Sequence, residues 1–299
     1  MKNLQTIQKA YARGENIAQY LRKGGRSKNT LETIMVSYDL QSGSYIKRTK
    51  KNSAFHERYT KAIASVINGL GAPRGSILEA GVGEATTLAH VIPKLDITPK
   101  TIYGFDLSWS RVRYAAAYAK RRKLREPFLF TADLFNIPMA DHSIDIVYTS
   151  HSIESNGGKE REALRELMRV TRRYLVLLEP AYEFANQQAK ERMRKYGYVR
   201  NLLGSARSLG FRVEEHRPFD ISVNPLNPTG LLVLEASRKS QVPQNPLMCP
   251  IAKTPLHKVK GSYFSKGGLF AYPIIDGIPC LLADNAVIAT HYMDNFQKI

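Results

Sequence analysis

Cysteine is scarce in this chain, and long apolar runs are missing. Two cysteines among 299 residues, Cys249 and Cys280, exclude a disulfide framework and favour a reducing, cytoplasmic location. One of the longest apolar runs, residues 174–178, has only the length of a strand, so we expect no segment that crosses a bilayer. The first residues form no apolar stretch, and we expect no secretory signal.

Acidic residues are also in short supply. The chain carries 26 Asp and Glu against 44 Lys and Arg, which gives a formal net charge of +18. The cations are unevenly distributed, with one cluster between residues 111 and 125 and another within the first fifty residues. A surface of this sign attracts RNA, acidic lipid headgroups or phosphorylated sugars, while a merely solubilising surface is the alternative.

Enough apolar residues remain to form a core. Hydrophobic residues make up 43% of the chain, which excludes global disorder, and the length suits one large α/β domain with a small appendage. We divide the chain into a helical N-terminal lid segment (1–72), a central domain (73–238), a linker (239–247) and a small β-rich module (248–299).

The central domain alternates strands and helices. This pattern predicts a Rossmann-like sheet of seven strands, mostly parallel, with helices on both faces. The loop between the last two strands has no helical pattern, so we expect an antiparallel hairpin at one edge. Strands are predicted at 76–80, 101–106, 127–131, 143–149, 173–179, 209–216 and 230–237, and helices at 85–92, 111–123 and 159–171.

The most informative stretch lies at the end of the first of these strands. Glu79 is followed by Gly81 and Gly83, and a helical pattern begins just after them. Glycines at this spacing permit a sharp strand-to-helix turn and a close approach of the backbone to a ligand. Two more acids, Asp106 and Asp133, end the next two strands, so we expect three acids around one cleft.

Four segments of the central domain resemble the motifs of class I S-adenosylmethionine-dependent methyltransferases. The first covers residues 79–85, with Ala85 in place of the usual third glycine. The second covers 103–108, the third 132–134 and the fourth 137–148. The order and spacing of the four segments also fit this family, and the resemblance extends over most of the predicted parallel sheet.

This resemblance implies S-adenosylmethionine as cofactor and S-adenosylhomocysteine as product. It assigns Asp106 to the ribose hydroxyls and Asp133 to the adenine amino group. A dinucleotide-dependent dehydrogenase is disfavoured because it gives no role to Asp133 or to the fourth motif, and because the glycine pattern is not G-x-G-x-x-G. The expected cofactor-binding residues are Glu79, Gly81, Gly83, Asp106, Leu107, Asp133, Leu134, Ser150 and Tyr38.

The segment after the fourth strand is expected to hold the methyl acceptor, because ligands bind at the carboxyl ends of strands in open α/β sheets. We expect His151, Glu154 and Asn156 to contact the acceptor. His151 is the candidate base that takes a proton from an attacking hydroxyl or amine. The alternative is a structural histidine that bonds to a neighbouring loop. Glu179, at the end of the fifth strand, is interpreted as part of a strand-breaking turn, with closure of the acceptor pocket as the alternative.

The segment around Tyr38 precedes the first motif, where this family often places a lid over the cofactor. Tyr45 and His56 belong to the same region. We interpret this segment as a lid, with packing of the tyrosines in the core as the alternative.

The C-terminal module resembles the small zinc-ribbon-like proteins that activate tRNA, rRNA and protein methyltransferases. Residues 249–256 and 268–279 carry the resemblance. A tetrahedral zinc site needs four ligands, commonly with a C-x-x-C pair. Here Ala252 occupies the second position of that pair, and Cys280 stands alone. We therefore expect a degenerate module without metal, which folds on its own apolar core and docks on the catalytic domain or on the substrate.

These features predict a methyltransferase that modifies oxygen or nitrogen on an unidentified acceptor. We expect an anionic small molecule or a lipid-linked sugar. RNA or a translation factor is the alternative acceptor, favoured by the tail and the net charge, and contact with a membrane surface stays open. A non-catalytic, cofactor-binding subunit is the second alternative. The sequence does not fix the oligomeric state.

Overall fold

A computed structural model describes residues 3–22, 29–71, 75–219, 221–222, 224–236 and 243–294. The first half of the predicted linker, residues 239–242, therefore lies outside the described residues. Helices precede the first strand, as the sequence predicts for the N-terminal segment. They are α1 (Leu4–Ala12), α2 (Ile17–Arg22), α3 (Leu31–Leu40), α4 (Ser44–Lys51) and α5 (Ser53–Gly69).

The main sheet has seven strands in the order β3-β2-β1-β4-β5-β7-β6. The first five strands in this order are parallel to one another, and β7 pairs antiparallel with both β5 and β6. The predicted fold class and the edge hairpin are confirmed. The strands are β1 (Ser76–Ala80), β2 (Thr101–Asp106), β3 (Phe128–Thr131), β4 (Ile144–Ser150), β5 (Thr171–Pro180), β6 (Arg212–Pro218) and β7 (Thr229–Glu235).

The helices of this domain are α6 (Leu88–Val91), α7 (Trp109–Arg121), α8 (Glu160–Val170), α9 (Gln187–Tyr196) and α10 (Leu202–Ser208). The helix predicted at 85–92 is shorter than expected. Gly83 and Ala85 both have positive φ angles, 54° and 55°, so the turn after β1 extends further before α6 begins. The helices α9 and α10, which follow β5, were not predicted.

Both faces of the sheet are covered, which explains why its central strands are apolar throughout. Successive side chains of a strand point to opposite faces. Ile77 belongs to the core cluster under α5, while the next residue, Leu78, belongs to the cluster on the other face, under α8. Every residue of β1 is buried, as expected for a parallel strand between two helical layers.

The C-terminal residues form a small antiparallel sheet beside the edge strand β3. Cys280 pairs with Thr131, and the Leu281 amide donates to the Thr131 carbonyl at 3.0 Å. The module was expected to fold on its own core, but Tyr272 packs into the same cluster as Phe130. This packing covers an otherwise open sheet edge. The strands are β8 (His257–Val259), β9 (Ser262–Ser265), β10 (Phe270–Ile275), β11 (Ile278–Pro279) and β12 (Val287–Ile288).

The position of the missing C-x-x-C pair is a tight turn. The Ala252 amide donates to Cys249 Sγ at 3.3 Å, and the Tyr272 hydroxyl lies 3.2 Å from the same sulfur. Ser265 Oγ accepts from the Gly268 amide at 3.1 Å in a second turn of the same form. No group of three or more His, Cys, Asp or Glu side chains in the described part of the chain is arranged to hold a metal ion.

None of the described helices combines the length and the apolar character that crossing a membrane requires.

A buried carboxylate, Asp145, fastens the start of β1 to β4. It is 2% exposed, accepts from the amides of Gly75 (3.1 Å) and Ser76 (3.2 Å), and forms an ion pair with Arg172. We expect Asp145→Ala to lower the free energy of unfolding by about 3 kcal/mol, because two amides and a guanidinium lose their acceptor. Urea denaturation measures this loss.

The control is Asp141→Ala. The Asp141 side chain is 68% exposed and pairs with Arg169, so its removal should cost less than about 1 kcal/mol. Equal losses for the two variants would show that Asp145 does not hold the two strands together.

Candidate active site

One cavity of about 790 Å³ lies at the carboxyl ends of the central strands, beneath the N-terminal helices. Its volume falls within the range of about 300–1,000 Å³ that is usual for ligand sites. The structure brings all the predicted site residues to its wall. They are Glu79, Gly81, Gly83, Asp106, Leu107, Asp133, Leu134, Ser150, Tyr38, His151, Glu154 and Asn156.

The glycine turn after β1 depends on a close contact with the loop after β4. Gly81 has a φ angle of 75°, and a Cβ atom placed on it would lie 2.2 Å from the Cβ of Ser152. A side chain is therefore excluded at this position by sterics as well as by backbone conformation. The contact brings the predicted cofactor turn and the predicted acceptor loop side by side.

Asp106 is held at the end of β2 by backbone amides. Oδ2 accepts from Gly83 at 3.0 Å, and Oδ1 accepts from Ser108 at 2.9 Å. Burial raises the pKa of Asp106, partly offset by the nearby Arg111 charge and these amides. Each carboxylate oxygen can accept a further hydrogen bond, so the pair of acceptors suits the two hydroxyls of a ribose.

Asp133 follows β3 at the other end of the same cleft. Its Oδ1 accepts from the Phe135 amide at 3.0 Å, and burial raises its pKa. Its second oxygen is available to a donor in the cavity. The arrangement fits an exocyclic amino group, the role that the motif resemblance implies.

Glu79 is the most deeply buried of the three acids. It is 2% exposed, and its Oε2 accepts from the Tyr148 hydroxyl at 2.8 Å. Burial raises its pKa to about 8, although the Tyr148 hydrogen bond acts in the opposite direction. In the ligand-free cavity this carboxyl is therefore largely protonated at neutral pH.

The glycine turn is also joined to the lid by Glu84, which sequence reasoning missed. The buried Glu84 carboxylate accepts from the amides of Gly43 (2.9 Å), Tyr45 (3.2 Å) and Ile46 (2.8 Å). It thus caps the start of α4, where an acid is favourable. Any shift of the turn would be transmitted to α4.

A second link joins the lid to α7. Asp39, at the end of α3, accepts from Ser108 Oγ at 2.6 Å and from Ser110 Oγ at 3.0 Å. Ser108 is itself the N-cap of α7 and is the last residue of the second motif. The polar pattern around Asp39 carried no signal that predicted this contact, because its partners lie about 70 residues away in sequence.

Arg111, on α7, forms a third link to the predicted lid segment. The sequence suggested only a surface cluster of cations, but this side chain is buried, with 5% exposure. Its guanidinium lies 4.5 Å from the ring centroids of both Tyr38 and Tyr45, and its Nε donates to the Tyr38 carbonyl at 3.1 Å. A cation between two aromatic rings is a stabilising arrangement. Tyr38 is thus fixed over the cavity.

His151 lies at the acceptor end, with a φ angle of 54°. Its Nδ1 is 3.0 Å from Glu154 Oε2, and its Nε2 is 2.9 Å from Thr229 Oγ1. Burial acts to lower the pKa of His151, but the hydrogen bond and charge of Glu154, with the charge of Glu179, raise it overall. Both ring nitrogens are therefore engaged, and the protonated form is favoured.

Other polar groups surround this pair. Ser150 Oγ is 2.8 Å from the Tyr59 hydroxyl, and Tyr38 Oη is 3.1 Å from Ser155 Oγ. Glu179 lies beneath them, 2% exposed, and its Oε1 accepts from the Ser152 amide at 3.0 Å. Burial raises its pKa to about 7. Glu179 therefore lies within β5 and not in the turn that the sequence predicted, and its buried carboxyl supports the acceptor loop.

Comparison with known proteins gives a family match over the central domain. Residues 77–174 match the family model described as a methyltransferase domain. A search of curated protein sequences finds no match. The matched stretch contains the glycine turn, Asp106, Asp133 and His151.

Solved structures of methyltransferases have a similar fold. Magnesium protoporphyrin IX methyltransferase from Synechocystis PCC 6803, solved with bound SAH, is 13% identical with a TM-score of 0.49; the match covers 78% of this chain and 99% of that one. A putative sarcosine dimethylglycine methyltransferase from Galdieria sulphuraria is 10% identical with a TM-score of 0.48. The match covers 63% of this chain and 88% of that one. At such identities the likeness concerns the fold alone.

The chain therefore carries a methyltransferase domain. The predicted class of enzyme, a methyltransferase, is confirmed by the family match over residues 77–174.

The raised pKa of Glu79 makes stability depend on pH. An unfolded glutamate ionises near pH 4.3, whereas Glu79 in the folded protein ionises near pH 8. Between these values the folded state binds more protons, so stability falls as the pH rises. We expect the stability of the Glu79→Gln variant to decrease less than that of the wild type as the pH rises. Thermal unfolding of the cofactor-free protein between pH 5 and pH 8 measures it.

The control is Glu126→Gln, which makes the same substitution at an exposed position. Parallel stability curves for wild type and Glu79→Gln would mean that Glu79 is ionised in the folded protein.

Proposed function

We propose that the cavity binds S-adenosylmethionine and a small acceptor side by side. The methyl group would pass to an oxygen or nitrogen of an anionic small molecule or a lipid-linked sugar. The observation that carries the proposal is the convergence of a glycine turn, three strand-end acids and a polar loop on one cavity. In this proposal Asp106, which would bind the ribose hydroxyls, and Asp133, which would bind the adenine amino group, lie at opposite ends of the cofactor site.

In this proposal each cofactor residue has a defined task. Asp106 accepts from the ribose hydroxyls, and Asp133 accepts from the adenine amino group. The glycine turn offers backbone amides to the methionine part, and Tyr38 closes over it. Glu79 would face positive charge on the cofactor, which favours its ionised form.

Bound S-adenosylmethionine supplies a methyl group on a positively charged sulfur. A lone pair of the acceptor forms the new bond to carbon while the carbon–sulfur bond breaks. The work of the protein is mainly alignment, because the methyl group is already activated. The lid excludes water, and the loop from Ser150 to Asn156 orients the acceptor. His151, in its neutral form, takes the proton that the acceptor loses.

We also propose a role for the C-terminal module, as a degenerate relative of zinc-ribbon activators that works without metal. It lies beside the predicted adenine end of the cavity. Lys253 Nζ donates to Asn136 Oδ1 at 2.5 Å, and Leu247 pairs with Met139. Asn136 in turn pairs with Asp133. In this proposal the module keeps the adenine loop in place from within the same chain.

A tritium-labelled methyl donor tests the acceptor class. Cell extract is methylated with the protein and then split into RNA, protein and lipid or sugar pools. We expect label in the lipid or sugar pool or among small molecules. Label in RNA or in a translation factor would contradict the proposed acceptor, and cofactor binding without labelled product in any pool would favour a non-catalytic subunit.

We expect Asp106→Ala to abolish cofactor binding, because the ribose hydroxyls would lose both acceptor oxygens. Isothermal titration with S-adenosylhomocysteine measures the affinity. Asp106→Asn, which keeps the shape and one acceptor, separates this effect from misfolding, and Asp96→Ala at an exposed position is the control. Unchanged affinity in Asp106→Ala would remove Asp106 from the ribose site.

We expect His151→Ala to lower turnover by about 10²-fold or more while the affinity for S-adenosylhomocysteine stays within about twofold. Because the base is active when deprotonated and the pKa of His151 is raised, the wild-type rate should increase with pH above about 6.5. The variant should lack this increase. The readout is methyl transfer to the labelled pool, and the same rate for both proteins at every pH would contradict the assignment.

A further inference from the structure

The outer part of the cavity is bordered by two basic helices. The helix α4 carries Lys47, Arg48, Lys50 and Lys51 and no acid, and α9 carries four cations and Glu191. Among these described cations, Arg48 and Arg192 line the cavity. The remainder raise the positive potential around its mouth.

Arg192 is held in place by two aromatic rings. Its guanidinium carbon lies 4.9 Å from the ring centroid of Tyr196 and 5.4 Å from that of Tyr198. The residue after Tyr198 is tied to the acceptor loop, since the Val199 amide donates to the Glu154 carbonyl at 2.9 Å. Arg192 is therefore a fixed cation beside the acceptor end.

The hydrogen-bonding capacity of Arg192 is largely unused. Its Nη1 donates to the Leu226 carbonyl at 3.5 Å, and a second hydrogen bond joins Arg192 to the Tyr198 side chain and acts to lower the pKa of that hydroxyl. In the described part of the chain Arg192 forms no ion pair with an acid. Arg169, another partly buried arginine, bonds by contrast to Glu166, Asp141 and a backbone carbonyl. A guanidinium has five N–H donors, so Arg192 retains several for a ligand.

We propose that Arg192 binds a phosphate group of the methyl acceptor. The inference rests on the proposed function, which it makes more specific. A planar guanidinium binds an oxyanion through two parallel hydrogen bonds. The excess of cations on α4 and α9 favours phosphate over a singly charged carboxylate.

The other charged groups near the acceptor end are consistent with this placement. Glu154 is engaged by His151 and by Asn227, whose Nδ2 donates at 3.2 Å. Burial and the Glu154 charge raise the pKa of Tyr198 to about 12, so its hydroxyl stays protonated beside Arg192. The phosphate would thus lie at the rim, with the nucleophile directed inward to Ser150 and His151.

The test uses the full chain saturated with S-adenosylhomocysteine. Inorganic phosphate is titrated calorimetrically at constant ionic strength, and acetate is titrated in parallel. We expect one saturable phosphate site per chain and acetate binding at least about tenfold weaker. Arg192→Gln should weaken phosphate binding at least about tenfold, and Arg192→Lys, which keeps the charge without the planar fork, should weaken it less.

The matched control is Arg194→Gln. This residue lies on the same helix and carries the same charge, but it is exposed and donates to the Tyr182 hydroxyl instead of lining the cavity. It should change phosphate affinity less than twofold. All variants should bind S-adenosylhomocysteine like wild type, so a failure of the wild type to bind it would count against the proposed function instead.

Three results of the titrations alone would overturn the inference. They are no saturable phosphate binding by the wild type, equal losses in Arg192→Gln and Arg194→Gln, and acetate binding as tight as phosphate. A variant Arg192→Gln that melts earlier yet binds phosphate like wild type would leave Arg192 with a packing role only, which also overturns it.

Discussion

The hydrogen bond from the Gly83 amide to the Asp106 carboxylate joins the turn after β1 to the end of β2. The turn and the strand end hold each other in place, because Asp106 belongs to the sheet and Gly83 belongs to the turn that follows β1. The same carboxylate accepts from Ser108, the N-cap of α7. A single acid thus fixes the glycine turn, the strand end and the start of a helix, and the rest of the cavity is built around this unit.

The lid depends on this unit as well. Asp39 bonds to Ser108, Glu84 caps α4, and Arg111 lies between Tyr38 and Tyr45. Each link starts from a residue close to the glycine turn or to Asp106. The lid helices are therefore attached to the cofactor side of the cavity, and the opposite rim is formed by α9 and the loop before β7.

Burial shifts the chemistry of the acids around the cavity. The pKa values of Glu79 and Glu179 are raised to about 8 and about 7, each first by burial. A positively charged ligand would reverse this shift at Glu79, because an opposite charge favours the ionised form. At the acceptor end the charges are already paired, since His151 lies against Glu154. A charged ligand would therefore change the ionisation of Glu79 at the cofactor end more than that of the paired His151 and Glu154 at the acceptor end.

The fold could be predicted from the sequence because its signals are local. The alternation of apolar strands and amphipathic helices predicted the sheet, and the acids at the ends of strands predicted where its carboxyl edge lies. The contacts of Arg111 and Arg192 could not be predicted, because both depend on rings brought close by tertiary packing. Charge alone made them resemble surface residues. Likewise, Glu154 lies three residues from His151, but Thr229, the other partner of His151, lies 78 residues away.

The most direct test is a crystal structure of the protein grown with saturating S-adenosylhomocysteine. We predict density between the turn at Gly81 and Gly83 and the carboxylates of Asp106 and Asp133, with the ribose hydroxyls within hydrogen-bonding distance of Asp106. A cleft that stays empty under these conditions, or a ligand bound elsewhere on the chain, would contradict the assignment of this cavity.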